Sequence, residues 1–168
     1  MKVIITGGGG FLGSQLATKI LDKGTLTGPS GEQETVEQMA LIDANFPAPQ
    51  TDERIQEITG DISEKDVIES AIGGATNVSI FHLASMVSGE CEERYDDAIR
   101  VNLEGGQNIF EAARGLKGRP RVVFASSIAS FGGEDMPDTQ TDRTKHTPQT
   151  TYGMTKACLL YTSPSPRD

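Results

Sequence analysis

The chain has 168 residues, 36% hydrophobic and 23% charged, enough for one domain with a sizeable core. Its net charge of -9 and pI near 4.7 argue against a nucleic-acid surface or an anionic membrane as partner, because a polyanion is repelled at long range. The opening MKVIITGGGG lacks the apolar run of a signal peptide and no stretch approaches the roughly 20 apolar residues of a membrane span, so a cytoplasmic location is expected.

The first apolar run, residues 3–6, reads as a strand, and Gly7-Gly8-Gly9-Gly10-Phe11-Leu12-Gly13 follows it directly before a helix over 11–23. In this GxxGxxG spacing Gly7 permits a tight turn, Gly10 lets backbone approach a pyrophosphate, and Gly13 allows helix to pack closely on strand. The helix start, with Phe11 and Leu12, then offers N–H groups and partial positive charge to phosphates. A flexible turn would show the same glycines; their position between a first strand and a first helix favours the cradle. Residues 24–34 and 46–52 are rich in Gly, Pro, Ser and Thr and read as surface loops.

Between those loops a second strand over 39–42 ends at Asp43, whose carboxylate can bond both hydroxyls of an adenine ribose and would repel a 2′-phosphate, favouring NAD over NADP. Asp43 lies 30 residues after Gly13, beyond the usual offset, and the 24–34 loop accounts for the excess. The alternative is a solvated aspartate at a strand end.

Further strands are expected over 54–58, 78–83 and 122–125, with helices over 65–72 and 94–114, which is the βαβ rhythm of a parallel sheet covered on both faces. The predicted fold class is therefore α/β, a Rossmann-like doubly wound parallel sheet. No composition break marks a domain boundary. His82 ends a buried-looking run and reads as a hydrogen-bonded core histidine; His146, in a Thr/Pro-rich loop, reads as solvated. The acidic run Glu90, Glu92, Glu93, Asp96 and Asp97 reads as the solvated N-terminal turn of a helix, and Cys91 and Cys158 lack CxxC spacing, so no metal is expected.

Tyr152 and Lys156 are four apart and share a helical face, which sets an ammonium beside a phenol. Alone, such a pair could be an ordinary surface helix. In order along residues 1–157, however, the motifs resemble those of the extended short-chain dehydrogenases/reductases. Gly60-Asp61-Ile62 resembles the family's adenine-contacting acidic pair, and Phe81-His82-Leu83-Ala84-Ser85 its fourth-strand signature against the cofactor. Val101-Asn102 resembles the helix asparagine that organises the active site, Ser126-Ser127 the end of the fifth strand, and Tyr152-Gly-Met-Thr-Lys156 the YxxxK pair.

The resemblance implies NAD as cofactor, with Gly7, Gly10, Phe11, Leu12, Gly13, Asp43, Asp61, Ile62, Leu83, Ala84, Ser85, Ser126, Tyr152 and Lys156 around it. It implies Ser127, Tyr152, Lys156 and Asn102 as the catalytic set, with Tyr152 the general base and Ser127 bonded to the reacting hydroxyl. Residues 82–114 and FASSIASFGG look most like members that oxidise a four-carbon sugar acid, so a small sugar-acid substrate and a homodimeric full-length enzyme are implied. A nucleotide-sugar epimerase stays open. A dehydratase would show Thr-Asp-Glu where this chain has Ser127-Ile128-Ala129, and a non-catalytic dinucleotide-binding protein would be favoured by a broken Ser/Tyr/Lys set, which here is intact.

The resemblance stops after Ala157. The closing CLLYTSPSPRD matches the translation of a transposon mosaic-end sequencing adapter, so residues 158–168 are expected to be a non-native tail on a truncated reading frame. On this reading residues 1–157 are a partial NAD-binding Rossmann domain ending in barely two helical turns, and the fragment by itself is inactive.

Overall fold

The computed structural model describes residues 1–134 and 136–162. Its strands are β1 (Lys2–Thr6), β2 (Thr25–Thr27), β3 (Gln33–Thr35), β4 (Gln38–Asp43), β5 (Ile55–Thr59), β6 (Val78–His82) and β7 (Arg121–Phe124). Five of them pair in parallel in the order β5-β4-β1-β6-β7, so the strand order reverses beside β1 as in one half of a doubly wound nucleotide-binding sheet. Helices α1 (Phe11–Lys23), α2 (Lys65–Ile72) and α5 (Gly105–Gly115) lie in the connections.

β1 is buried at every position because both faces of a parallel sheet are covered. Val3, Ile5, Met39 and Leu41 face Ala17 and Ile20 of α1, with Val36. Their alternate neighbours Ile4, Ala40 and Ile42 point the other way, where α2 packs on β4 with Ile68 and Ala71 buried. Each such aliphatic side chain contributes about 1.5–3 kcal/mol on burial, and the five predicted strands form for that reason.

The chain divides into two compact units. One comprises Met1–Ala84 with Asn108–Ala125 and holds the sheet; the other comprises Ser85–Gln107 with the described residues from Ser126 onward. No composition break announces this division, because it falls just past the ends of β6 and β7 and within α5, between Gln107 and Asn108.

Four local expectations change. Residues 24–34 are not a plain loop: β2 and β3 pair as an antiparallel hairpin, with Leu26 opposite Glu34. Glu34 accepts hydrogen bonds from Ser30 Oγ at 2.7 Å and Asn77 Nδ2 at 2.5 Å, and the N-terminal ammonium donates to the Thr35 carbonyl at 2.8 Å. Three-residue strands are too short for alternation to be seen in sequence, and the bonds from Asn77 and the N-terminus hold them from a distance. Residues 94–114 are not one helix. α3 (Ser88–Glu93) and α4 (Tyr95–Ala98) lead into a π-helical turn, Ile99–Glu104, and then α5.

The acidic run accordingly spans two short helices, α3 and α4, rather than the first turn of one. Asp97 pairs with Arg94 at 2.6 Å and Arg100 at 3.4 Å, and among the described residues no three His, Cys, Asp or Glu side chains gather as a metal site. The last helix, α6 (Thr151–Thr162), continues past Ala157, with Leu159 buried, because Cys158 to Thr162 contain neither Gly nor Pro. Pro164 and Pro166 lie outside the described residues, as does the rest of the expected tail beyond Thr162. No described helix is long and apolar enough to cross a membrane.

Candidate active site

In the sheet-bearing unit, the predicted cofactor residues collect at the C-terminal ends of the parallel strands. Gly7 leaves β1 at φ 76°, and the Gly7 and Gly8 N–H groups both donate to the Ile42 carbonyl at 2.8 and 3.1 Å. α1 then starts at Phe11 with no side-chain cap and no acidic residue in its first turn, so its first N–H groups are left for an outside acceptor. A Cβ on Gly13 would fall 2.0 Å from the Gly7 carbonyl oxygen, so helix and turn approach only because that atom is absent. Phe11 and Leu12 are 80% and 65% exposed at this helix start, and Gly10 precedes them as its N-terminal flanking residue.

Asp43 ties the second strand of the βαβ unit to the glycine turn. Its Oδ2 accepts from Gly9 N at 2.9 Å and its Oδ1 from Asn45 N at 3.3 Å, which uses two of a carboxylate's roughly four acceptor positions. At the end of β5, Asp61 Oδ1 accepts from Ser63 N at 2.9 Å, Ile62 is buried, and Asn108 of α5 donates to the Ser63 carbonyl at 2.8 Å.

Leu83 and Ala84 are held by Thr6, a residue without any motif to mark it. Thr6 Oγ1 accepts from both of their N–H groups, at 3.2 and 3.1 Å, and lies 2.7 Å from His82 Nδ1. The Leu83 N–H also reaches the Thr6 carbonyl at 3.1 Å, so Thr6 joins the end of β6 through both its side chain and its backbone. His82 is buried and stacked on Phe124 at 5.5 Å, the core role expected of it.

The second unit carries the predicted catalytic residues. Lys156 Nζ sits 5.5 Å from the Tyr152 ring centroid. Lys156 is 3% exposed, and burial pulls its ammonium down to about 8 from its ordinary 10.5. Ser127 Oγ accepts from Ala129 N at 3.1 Å, capping a 3-10 turn at Ile128–Ser130 that packs against α6. Accepting that bond leaves the Ser127 hydroxyl hydrogen available to donate. Contact between turn and helix depends on Gly153, where a Cβ would fall 2.0 Å from the Ala129 carbonyl oxygen. Thr150 Oγ1 caps the helix by accepting from Gly153 N at 3.0 Å. Ser126 is exposed, and Ser85 donates its hydroxyl to the Met86 carbonyl at 3.0 Å.

Asn102 lies in the π-helical turn, a feature that recurs at functional sites. It is buried and committed to structure: Oδ1 accepts from Met86 N at 2.7 Å, while Nδ2 donates to the Met86 carbonyl at 3.2 Å and to Cys91 Sγ at 3.3 Å. Burial pushes the Cys91 thiol up. His146 corrects its sequence reading: it is half-buried, stacked on Phe131 at 4.5 Å and edge-on to Tyr161 at 5.6 Å, because apolar neighbours from distant positions close around the loop. Thr6 and Gly153 were not among the predicted residues. A glycine between Tyr152 and Lys156, costing about 1 kcal/mol of helix propensity, was the one available signal.

Among known proteins, the NAD dependent epimerase/dehydratase family matches residues 3–162. Over 157 residues the chain is 41% identical to the D-erythronate dehydrogenase of Cupriavidus necator, covering 94% of this chain and 48% of that one. A nucleoside-diphosphate-sugar epimerase from Agrobacterium tumefaciens superposes with a TM-score of 0.78 at 34% identity, covering 95% of this chain and 46% of the other. The UDP-glucose 4-epimerase of Thermus thermophilus, in complex with NAD, gives 0.74 at 25% identity over 96% and 49%. The chain thus spans about half the length of the relatives it matches. The sheet-bearing unit fits the dinucleotide this family uses: it presents an uncapped helix start behind a glycine turn that tolerates no Cβ at Gly13, beside a strand-end carboxylate.

Proposed function

The chain belongs to the NAD dependent epimerase/dehydratase family, its cofactor is NAD, and on that premise we propose that the full-length protein oxidises a small sugar acid, D-erythronate to 2-dehydro-D-erythronate. The observation that carries this reading is the intact Ser127, Tyr152 and Lys156 set, with Gly153 seating α6 on the Ser127 turn.

NAD, when bound, supplies the acceptor for the hydride that leaves the substrate's alcohol carbon. Tyr152 takes the hydroxyl proton as that carbon becomes a ketone, so hydride and proton leave together and the electrons balance. Ser127 donates its free hydroxyl hydrogen to the substrate oxygen and orients it. Lys156, buried beside the Tyr152 ring, stabilises negative charge on the phenol oxygen. Asn102 holds Met86 and acts through the backbone rather than on reacting atoms. Asp43 and Asp61 hold the adenosine end, Gly7, Gly10, Phe11, Leu12 and Gly13 the pyrophosphate, and Ile62, Leu83, Ala84, Ser85 and Ser126 line the remainder. On this reading the full-length protein is a homodimer, and the 168-residue chain alone does not turn over.

The test is NADH formation by the full-length protein with D-erythronate and related four-carbon acids, beside a UDP-sugar epimerisation assay. NADH with the acid is the expected result. Epimerisation of a UDP-sugar without net NADH would replace this reading with that of an epimerase.

A further inference from the structure

α6 places Tyr152 in its first turn, where backbone N–H groups have no partner inside the helix and ends fray most easily. Thr150 Oγ1 takes one of these groups, Gly153 N, at 3.0 Å. Another is taken from α3: Glu92 Oε1 accepts from Thr151 N at 2.7 Å, and Glu92 Oε2 accepts from Thr151 Oγ1 at 3.0 Å. Both carboxylate oxygens thus grip the first residue of the helix, and Tyr152 is the residue between the two capped amides. The bonds are charge-assisted, and the charge sits at the positive end of α6. Glu92 has a firm base, because its neighbour Cys91 is fully buried, donates to the Met86 carbonyl at 3.5 Å and accepts from Asn102 Nδ2 at 3.3 Å.

We propose that Glu92 is a positioning residue for the Tyr152/Lys156 pair, holding the first turn of α6 through Thr151 without touching substrate or cofactor. The proposal rests on the dehydrogenase reading above. It also separates Glu92 from the rest of the acidic run, whose Asp97 is engaged with arginines. Small displacements at reacting groups cost rate steeply, on the order of a hundredfold per 1 Å.

The test uses the full-length protein. Glu92→Ala should lower kcat about tenfold or more, with KM for the acid and NAD affinity held within about twofold. Thr151→Val, which keeps its N–H and loses its hydroxyl, should cost about threefold in kcat, and combining it with Glu92→Ala should add nothing further. Glu92→Gln can still accept from Thr151 N and donate to Thr151 Oγ1, so it should stay within about threefold of the parent. Independently of turnover, amide exchange at Thr151 and Tyr152 should quicken about tenfold in Glu92→Ala while β1 amides are unchanged.

Parent-like kcat in Glu92→Ala overturns the proposal, as does a loss that comes with weakened NAD binding and deprotected β1. If Glu92→Ala does not fold, Thr151→Val decides, and an unchanged kcat there overturns it. Tyr152→Phe separates the two levels. Retained turnover in that variant defeats the dehydrogenase reading, whereas its loss beside an active Glu92→Ala defeats the positioning role alone.

Discussion

The two units solve the same problem, holding polar groups in place for chemistry, by different means. In the sheet-bearing unit the backbone does it: strand ends, a glycine turn and one hydroxyl, Thr6, set Leu83 and Ala84 within a few residues of where hydrophobic burial has already put β1 and β6. In the other unit charged and amide side chains hold backbone of neighbouring helices and turns, Asn102 both polar groups of Met86 and Glu92 the Thr151 amide, and the missing Cβ of Gly153 lets α6 meet the Ala129 carbonyl. Cofactor binding should therefore respond to backbone changes in the first unit, and turnover to side-chain changes in the second.

The sharpest break of that contrast would come at Tyr152. In the full-length protein Tyr152→Phe should lower oxidation by about 10²–10⁴-fold while NAD affinity stays within about threefold, less than about 1 kcal/mol. Stopped turnover with equally weakened NAD binding would merge the two roles.

Next in size is the buried lysine. Folded Lys156 releases its proton near pH 8 and the unfolded chain near 10.5, so between these values the unfolded state holds the extra proton and stability rises with pH. The penalty for burying the charge is full below about 8 and is relieved by 10.5, on the order of 3 kcal/mol in all. Urea unfolding of the parent and of Lys156→Met, compared below pH 8 and near pH 10, should show the parent gaining on the variant as pH rises. A constant difference would mean the ammonium is not desolvated.

Two glycines offer a matched pair, since a Cβ on either Gly13 or Gly153 would meet a carbonyl oxygen at 2.0 Å. Gly13→Ala should weaken NAD binding by about tenfold or more. Gly153→Ala should leave NAD binding alone and lower kcat by roughly ten- to a hundredfold, through displacement of α6 from the Ser127 turn. Helix propensity by itself favours alanine by about 1 kcal/mol, so a higher melting temperature in either variant would show that no close approach exists there.

The smallest effect concerns Asp43. Asp43→Asn removes the charge that opposes a 2′-phosphate but keeps an acceptor for Gly9 N, so the preference for NAD over NADP should narrow by about tenfold without loss of the fold. Fluorescence titration of both dinucleotides measures it, and an unchanged ratio would leave Asp43 as a brace for the turn alone.

The five strands, the glycine turn and Asp43 were legible in the sequence because apolar runs, glycine spacing and a strand-end acid are local signals with a single physical cause each. The β2/β3 hairpin was not, since Asn77 and the N-terminal ammonium stabilise it from outside any short window. Nor was the split of residues 94–114, where a π-helical turn lets Asn102 point at Met86 and interrupts a pattern that reads as one amphipathic helix.

The order and type of the sheet elements, and the presence of Ser127, Tyr152 and Lys156, followed from the chain alone, because burial pattern and residue chemistry are properties of the chain. How those side chains are held was settled only on folding. The Cβ-free contact at Gly153, the Thr6 hydroxyl against His82 Nδ1, the lowered Lys156 ammonium and the grip of Glu92 on Thr151 all depend on atoms brought together from distant positions, and no local pattern encodes such distances.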